Sequence, residues 1–175
     1  MRRAGAAAGS ALFLVVAPGT VAVLVPWWLT GWRVLEPAPW SAPVRVAGVL
    51  LIVPAALVLL HAFLRFVQEG LGTPAPVAPT ERLVVGGIYR HVRNPMYLAV
   101  TAAIAGQALV VGRPALLAYA AAVAAATAAF ARWYEEPALQ ARFGAEYEAY
   151  RRAVPAWRPR LRPWEPQGVT GPRDA

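Results

Sequence analysis

Four stretches of this chain contain no charged side chain: residues 4–32, 46–64, 94–112 and 114–131. A helix rises about 1.5 Å per residue and the hydrocarbon core of a bilayer is about 30 Å thick, so about 20 apolar residues are needed to cross it. Each stretch meets or nearly meets that length. Helices of a soluble bundle would carry a polar face at helical spacing, and Val46–Leu60 and Leu116–Ala129 carry none. Charged residues make up 15% of the chain, against about 25% in an ordinary soluble domain. The expected fold is all-α and integral to a membrane, with about four transmembrane helices (room remains for a fifth) and a C-terminal interfacial amphipathic helix.

The net charge of +8 does not point to nucleic acid, because its placement follows the spans. All seventeen basic residues are arginine, a usage that fits a GC-rich coding bias. Arg2 and Arg3 precede the first span, Arg65, Arg82, Arg90 and Arg93 separate the second from the third, and eight more follow the fourth. Only Arg33, Arg45 and Arg113 fall on the opposite side. Short cytoplasmic loops are enriched in arginine, so both termini are expected in the cytoplasm, the membrane being the bacterial inner one. The basic tail then faces anionic lipid. The absence of cysteine excludes disulfides, thiolate metal sites and a cysteine nucleophile, and His61 and His91 are too few for a histidine-rich metal site. Arg2-Arg3 before an apolar run resembles a secretion signal, but the run is too long and lacks a small-residue cleavage site. It is expected to remain as the first span. Oligomeric state is open.

A single domain over residues 1–165 follows, with spans at about 6–29, 44–67, 95–111 and 114–133. A cytoplasmic loop covers 68–94, a surface helix 137–153 and a disordered tail 166–175. Pro18-Gly19 is expected to kink the first span, and Trp27 and Trp28 suit the outer interface. In the loop, Gly70, Gly72, Pro74, Pro76 and Pro79 exclude a long helix and favour a stiff extended segment. Leu83-Val84-Val85 offers an apolar patch to the bundle. Asn94-Pro95 is a helix start, asparagine capping free N–H groups and proline taking the first helical position. Gly112-Arg113-Pro114 makes a tight outer turn, so the last two spans form an antiparallel hairpin. Leu139, Phe143, Tyr147, Tyr150 and Val154 form one stripe of the surface helix, which is expected to lie along the membrane.

This topology brings the loop, the end of span four and the surface helix to one side, and six of the nine acidic residues lie on them: Glu69, Glu81, Glu135, Glu136, Glu146 and Glu148. Adjacent carboxylates at a membrane boundary repel each other and lose hydration, so Glu135 and Glu136 want a cation or donors. The bland alternative has both pointing at water near Arg132. Arg90, His91 and Arg93 precede a helix N-terminus, where free N–H groups attract an anion, although topogenic charge explains them as well. An anion site near a carboxylate pair can hold a zwitterion.

At these residues the chain resembles the superfamily of isoprenylcysteine carboxyl methyltransferases and phospholipid N-methyltransferases. Leu83-Val84-Val85-Gly86-Gly87-Ile88-Tyr89-Arg90-His91-Val92-Arg93-Asn94-Pro95-Met96-Tyr97 resembles the family's Gly-x-Tyr…Arg-His/Asn-Pro-x-Tyr signature. One hairpin later come Glu135-Glu136 and Phe143-Gly144…Tyr147…Tyr150…Val154-Pro155. The resemblance covers about Phe63–Pro155. It implies S-adenosyl-L-methionine bound on the cytoplasmic side and a lipid-like or small hydrophobic acceptor carrying a carboxylate, amine or thiol. It also implies that Gln68, Leu83, Val84, Tyr89 and His91 line the cofactor pocket from the loop. Asn94, Pro95, Met96 and Tyr97 would meet the cofactor at the helix start, and Glu135 or Glu136 would hold its cationic part. Arg132 is the candidate for orienting the acceptor, with Glu69 or His61 assisting if an amine must lose a proton. Asn94 stands where the carboxyl methyltransferases more often have histidine, and Ala99 where a glycine is common, so acceptor identity stays open. Two other classes compete: an NADPH-dependent reductase related to the sterol reductases, which share an Arg-His-Pro-x-Tyr stretch, and a non-catalytic membrane scaffold.

Overall fold

The computed structural model describes residues 16–35, 41–69 and 82–165, the side chains of Ser41, Phe66, Val67 and Glu69 excepted. The head of the first span, the proline-alternating part of the loop and the tail 166–175 lie outside the described residues. Every regular element within them is helical. Helix α1 is Val16–Thr30, α2 is Ser41–Glu69, α3 is Pro95–Val111, α4 is Pro114–Phe130 and α5 is Glu136–Ala153.

The outer surface of the bundle is apolar. Leu50 is 67% exposed, Leu57 63% and Trp28 75%, with Val46, Val49, Val53, Leu60 and Leu64 exposed beside them on α2. Isolated exposed leucines are ordinary, but a continuous apolar exterior belongs in lipid. Residues Ala42–Arg65 of α2 and the helix beginning at Pro114 are each long and apolar enough to cross a membrane, and α1 and α3 are shorter apolar helices. The chain is an all-α membrane protein.

Helix α1 docks through an irregularity. At Thr20–Leu24 it widens into a π-turn, and the Val25 N–H reaches back five residues to the Thr20 carbonyl. That releases the Val21 carbonyl, while Ala22 loses its donor because Pro26 has no N–H. Lipid offers no substitute partner for either. Tyr119 of α4 donates its hydroxyl to Val21 O at 3.0 Å, and Gln107 of α3 donates its amide to Ala22 O at 2.7 Å. The irregular turn follows Pro18-Gly19 rather than coinciding with it; Gly19 itself is regular helix.

Helices α2 and α3 share the most extensive packing, and two facing glycines make it close. A Cβ on Gly106 would lie 2.7 Å from the Gly48 carbonyl oxygen, and one on Gly48 would lie 2.6 Å from that of Gly106. Both obstacles are backbone and cannot swing aside. Gly106→Val is therefore expected to force the helices apart and cost about 1–3 kcal/mol, the usual penalty of overpacking, read as a lower thermal midpoint in detergent. An unchanged midpoint would mean that the two helices do not cross in backbone contact at these glycines.

Three local expectations change. Helix α2 continues through Gln68 and Glu69, which therefore end a helix rather than begin the loop. Asn94 makes no side-chain capping bond. Its N–H goes to the Ala156 carbonyl at 3.3 Å and its carbonyl accepts from Leu98, so the helix start is anchored through backbone. Helix α5 follows α4 through a second π-turn, Ala131–Glu135, and is broken at Gly144, where φ is 50°. Its apolar stripe is covered by Leu83, Val85 and Trp164 instead of lying free for lipid.

Candidate active site

The loop before α3 is pressed onto α2 at a glycine. Gly87 has φ of 56°, and a Cβ there would sit 2.6 Å from His61 Nε2 and 2.7 Å from Arg65 Nε. Only a residue without a side chain fits both the conformation and the gap. A 3-10 turn, Gly87–Arg90, follows. It buries Tyr89 with Val84 and Ala62, and Ile88 and Met96 pack against them. From α5, Tyr150 donates its hydroxyl to the Tyr89 carbonyl at 2.7 Å.

Residues 155–165 return across this loop as a strap. Arg93 N–H bonds the Pro155 carbonyl at 2.9 Å, Arg160 N–H bonds the His91 carbonyl at 3.0 Å, and Trp164 N–H bonds the Arg90 carbonyl at 3.0 Å. Arg90 Nε donates to Trp164 O at 2.6 Å and its guanidinium pairs with Glu165 at 3.2 Å. His91 Nδ1 lies 2.8 Å from Arg160 O; a carbonyl only accepts, so that nitrogen carries the proton. The donors expected to form an anion site are thus satisfied by the chain's own strap.

The twin carboxylates part company. Successive helical residues point about 100° apart, and each acid meets a different partner. Tyr97 donates its hydroxyl to Glu135 Oε1 at 2.6 Å. Glu136 accepts from Arg93 at 2.9 Å, both side chains being largely buried, while Arg132, 71% exposed, reaches it only at 3.7 Å. Arg93 also donates to the Tyr147 hydroxyl at 2.9 Å and to the Val154 carbonyl at 3.0 Å. Glu135 has no cationic partner among the described residues. It lies past the apolar part of α4, beyond the exposed Trp133 and Tyr134 that mark an interface. Burial pushes its carboxyl above the usual carboxylate range; the Tyr97 hydroxyl pulls it back, and the Glu136 charge adds a smaller upward push.

Beside Tyr97 an open groove of about 450 Å³ runs between α3 and α4. Leu98, Thr101, Ala102, Ala105, Ala124 and Ala128 give it an almost wholly apolar wall, and Trp157 of the strap closes one end. The Trp157 ring stacks on Tyr97, with centroids 6.4 Å apart. Tyr97 therefore separates a dry, alanine-lined groove from a buried carboxylate.

Of the residues singled out in sequence, Tyr97 and Glu135 meet directly, and Glu136 and Arg132 lie next to them. Val84, Tyr89 and Met96 share one packed layer, joined to Tyr97 through Asn94 and Pro95, whereas Leu83 packs on the stripe of α5. His91 is turned to the strap, and Gln68 is exposed at the end of α2. The Glu69 side chain lies outside the described residues. Sequence reasoning offers Arg93 only as an anion-site donor and not as the partner of Glu136, and it gives Tyr147 and Trp157 no place in the site. The Val154-Pro155 stop after an amphipathic helix hints that the chain turns back, and nothing earlier in the sequence points to Trp157.

Fold and site together describe an all-helical membrane protein with a carboxylate held at the end of its last hairpin. Comparison with known families narrows the class. The family model for phospholipid methyltransferase matches residues 43–146, more than half the chain, and the chain belongs to this family, within the superfamily of integral membrane methyltransferases. The match takes in α2, the loop, the hairpin and the first half of α5, and stops before the strap. No curated protein and no solved structure matches.

Proposed function

We propose that the chain transfers a methyl group from S-adenosyl-L-methionine to a lipid-like acceptor at the cytoplasmic face of the membrane, with both termini on that side. The observation carrying this reading is Glu135: a buried carboxylate, bonded to a tyrosine hydroxyl, with no cation among the described residues to balance it. Such a group fits a cationic ligand. Glu136 does not, because Arg93 already neutralises it. S-adenosylmethionine supplies a methyl on a sulfonium, so the acceptor's lone pair forms the new bond to carbon while the carbon–sulfur pair leaves with sulfur.

The chain's residues then have three tasks. Glu135 holds the cation, Tyr97 orients that carboxylate, and Val84, Tyr89 and Met96 supply an apolar layer on the loop side. The groove beside Tyr97 admits an apolar acceptor sideways from the bilayer, and excluding water keeps the electrostatic hold strong. Alignment of two reactants supplies most of the acceleration in such a displacement. Arg132, exposed and close by, is placed to orient a polar head group, and an amine acceptor would pass its proton to solvent or to Glu69.

Isothermal titration of the detergent-purified protein with S-adenosylmethionine, and separately with NADPH, tests the reading. Heat with the first and none with the second supports it, the reverse favours a reductase, and neither favours a scaffold. A pH series adds a second check. Glu135 attracts a cation only when ionised, so affinity is full above its folded-state value and falls as pH drops through it. Because burial raises that value, the loss is expected to begin at higher pH than for an ordinary carboxylate. In Glu135→Gln this dependence should be flattened.

A further inference from the structure

Leu161 is the most exposed large hydrophobic residue described, at 97%, and it stands on an ordered part of the chain. The strap around it is tied to the loop by the Arg160 and Trp164 backbone bonds, and the Arg160 side chain donates to the Ala153 carbonyl at 2.8 Å. Arg158 and Arg162 flank it, both exposed. Neither forms a hydrogen bond or ion pair with a described residue. An apolar knob held rigidly between two arginines that have no partner among the described residues calls for a partner that is oily inside and negative outside.

The depth of the strap says which partner is within reach. Four residues before Leu161, Trp157 lines the apolar groove with Thr101 and Ala105 of α3 and stacks on Tyr97. Tyr97 in turn bonds Glu135, which follows the exposed Trp133 and Tyr134 at the boundary of α4. Aromatic residues gather at this level of a bilayer. The strap therefore runs at head-group depth.

We propose that residues 158–162 dock on the anionic leaflet, with Leu161 inserted among the acyl chains and Arg158 and Arg162 on lipid phosphates. The same strap carries Trp157 over Tyr97, so docking holds the groove's lid in place. The proposal concerns the lipid surface alone and does not depend on which reaction the site performs.

The chain has no cysteine, so Leu161→Cys gives a single attachment point for an environment-sensitive fluorophore on the full-length protein. Reconstituted in bilayers containing phosphatidylglycerol, the probe is expected to show blue-shifted emission and protection from iodide. In pure phosphatidylcholine it should be water-like. Each arginine near an anionic surface strengthens docking about fivefold, so Arg158→Gln with Arg162→Gln should weaken docking about 30-fold and return the probe to water. Water-like emission in both bilayers overturns the proposal. So does apolar emission in both that ignores the arginines, which would assign Leu161 to neutral lipid or to a second copy of the chain. A charge control, Arg142→Gln on α5, should leave the probe unchanged and guards against a general loss of surface charge as the cause.

Discussion

Glu135→Gln is expected to weaken S-adenosylmethionine binding about 10- to 100-fold, the size of a lost hydrogen bond to a charged group in a buried setting, about 1.5–3 kcal/mol. The amide keeps the shape of the carboxyl and an oxygen for Tyr97 to donate to, so insertion and thermal stability should change little. What disappears is the negative charge. Glu136→Gln should behave in the opposite way. Its carboxylate is bound to Arg93, so that change should lower stability and leave affinity nearly intact. Titration calorimetry and thermal unfolding on the two variants separate the roles. Equal losses of affinity would mean that the two acids act as one site, and no loss in either would remove them from it.

The meeting of Tyr97 with Glu135 is legible in sequence because the punctuation of the hairpin is strong. Asn94-Pro95 starts α3, Gly112 ends it with φ of 68°, and Pro114 starts α4. Glu135 lies about six residues further from the outer turn than Tyr97, about 9 Å of helix. Side chains lean toward the N-terminus of their own helix. Tyr97 therefore reaches away from the turn and Glu135 back toward it, and the leanings close the gap. The division of labour between the two acids is not legible, since it depends on Arg93, whose neighbours come from a strap without periodic pattern. Nor does the sequence separate a proline that starts a helix from one that follows a π-turn within it. Pro137 reads as the first kind and is the second, as Pro26 is in α1. In both places the turn widens just before the proline, and in both it stands beside residues that hold separate helices together.

Arg93→Gln is expected to be the most destabilising substitution outside the spans, at about 3–5 kcal/mol, the cost of removing one partner from a buried ion pair. The guanidinium is only 12% exposed and serves Glu136, the Tyr147 hydroxyl and the Val154 carbonyl at once. Its own N–H holds Pro155, so the loop, the end of α5 and the start of the strap all converge on it. Glutamine cannot supply the charge, and the abandoned Glu136 carboxylate would sit beside Glu135 with only the exposed Arg132, at 3.7 Å, to balance it. The less balanced Glu136 charge would then press harder on Glu135 and disfavour its ionised form, so Glu135 would be less ready to hold a cation. Loss of thermal stability should therefore come with loss of cofactor affinity. Arg93→Gln combined with Glu136→Gln removes the stranded charge and should recover much of both. If the double variant is no better than the single one, the damage lies in the strap's lost hydrogen bonds and not in the carboxylate pair.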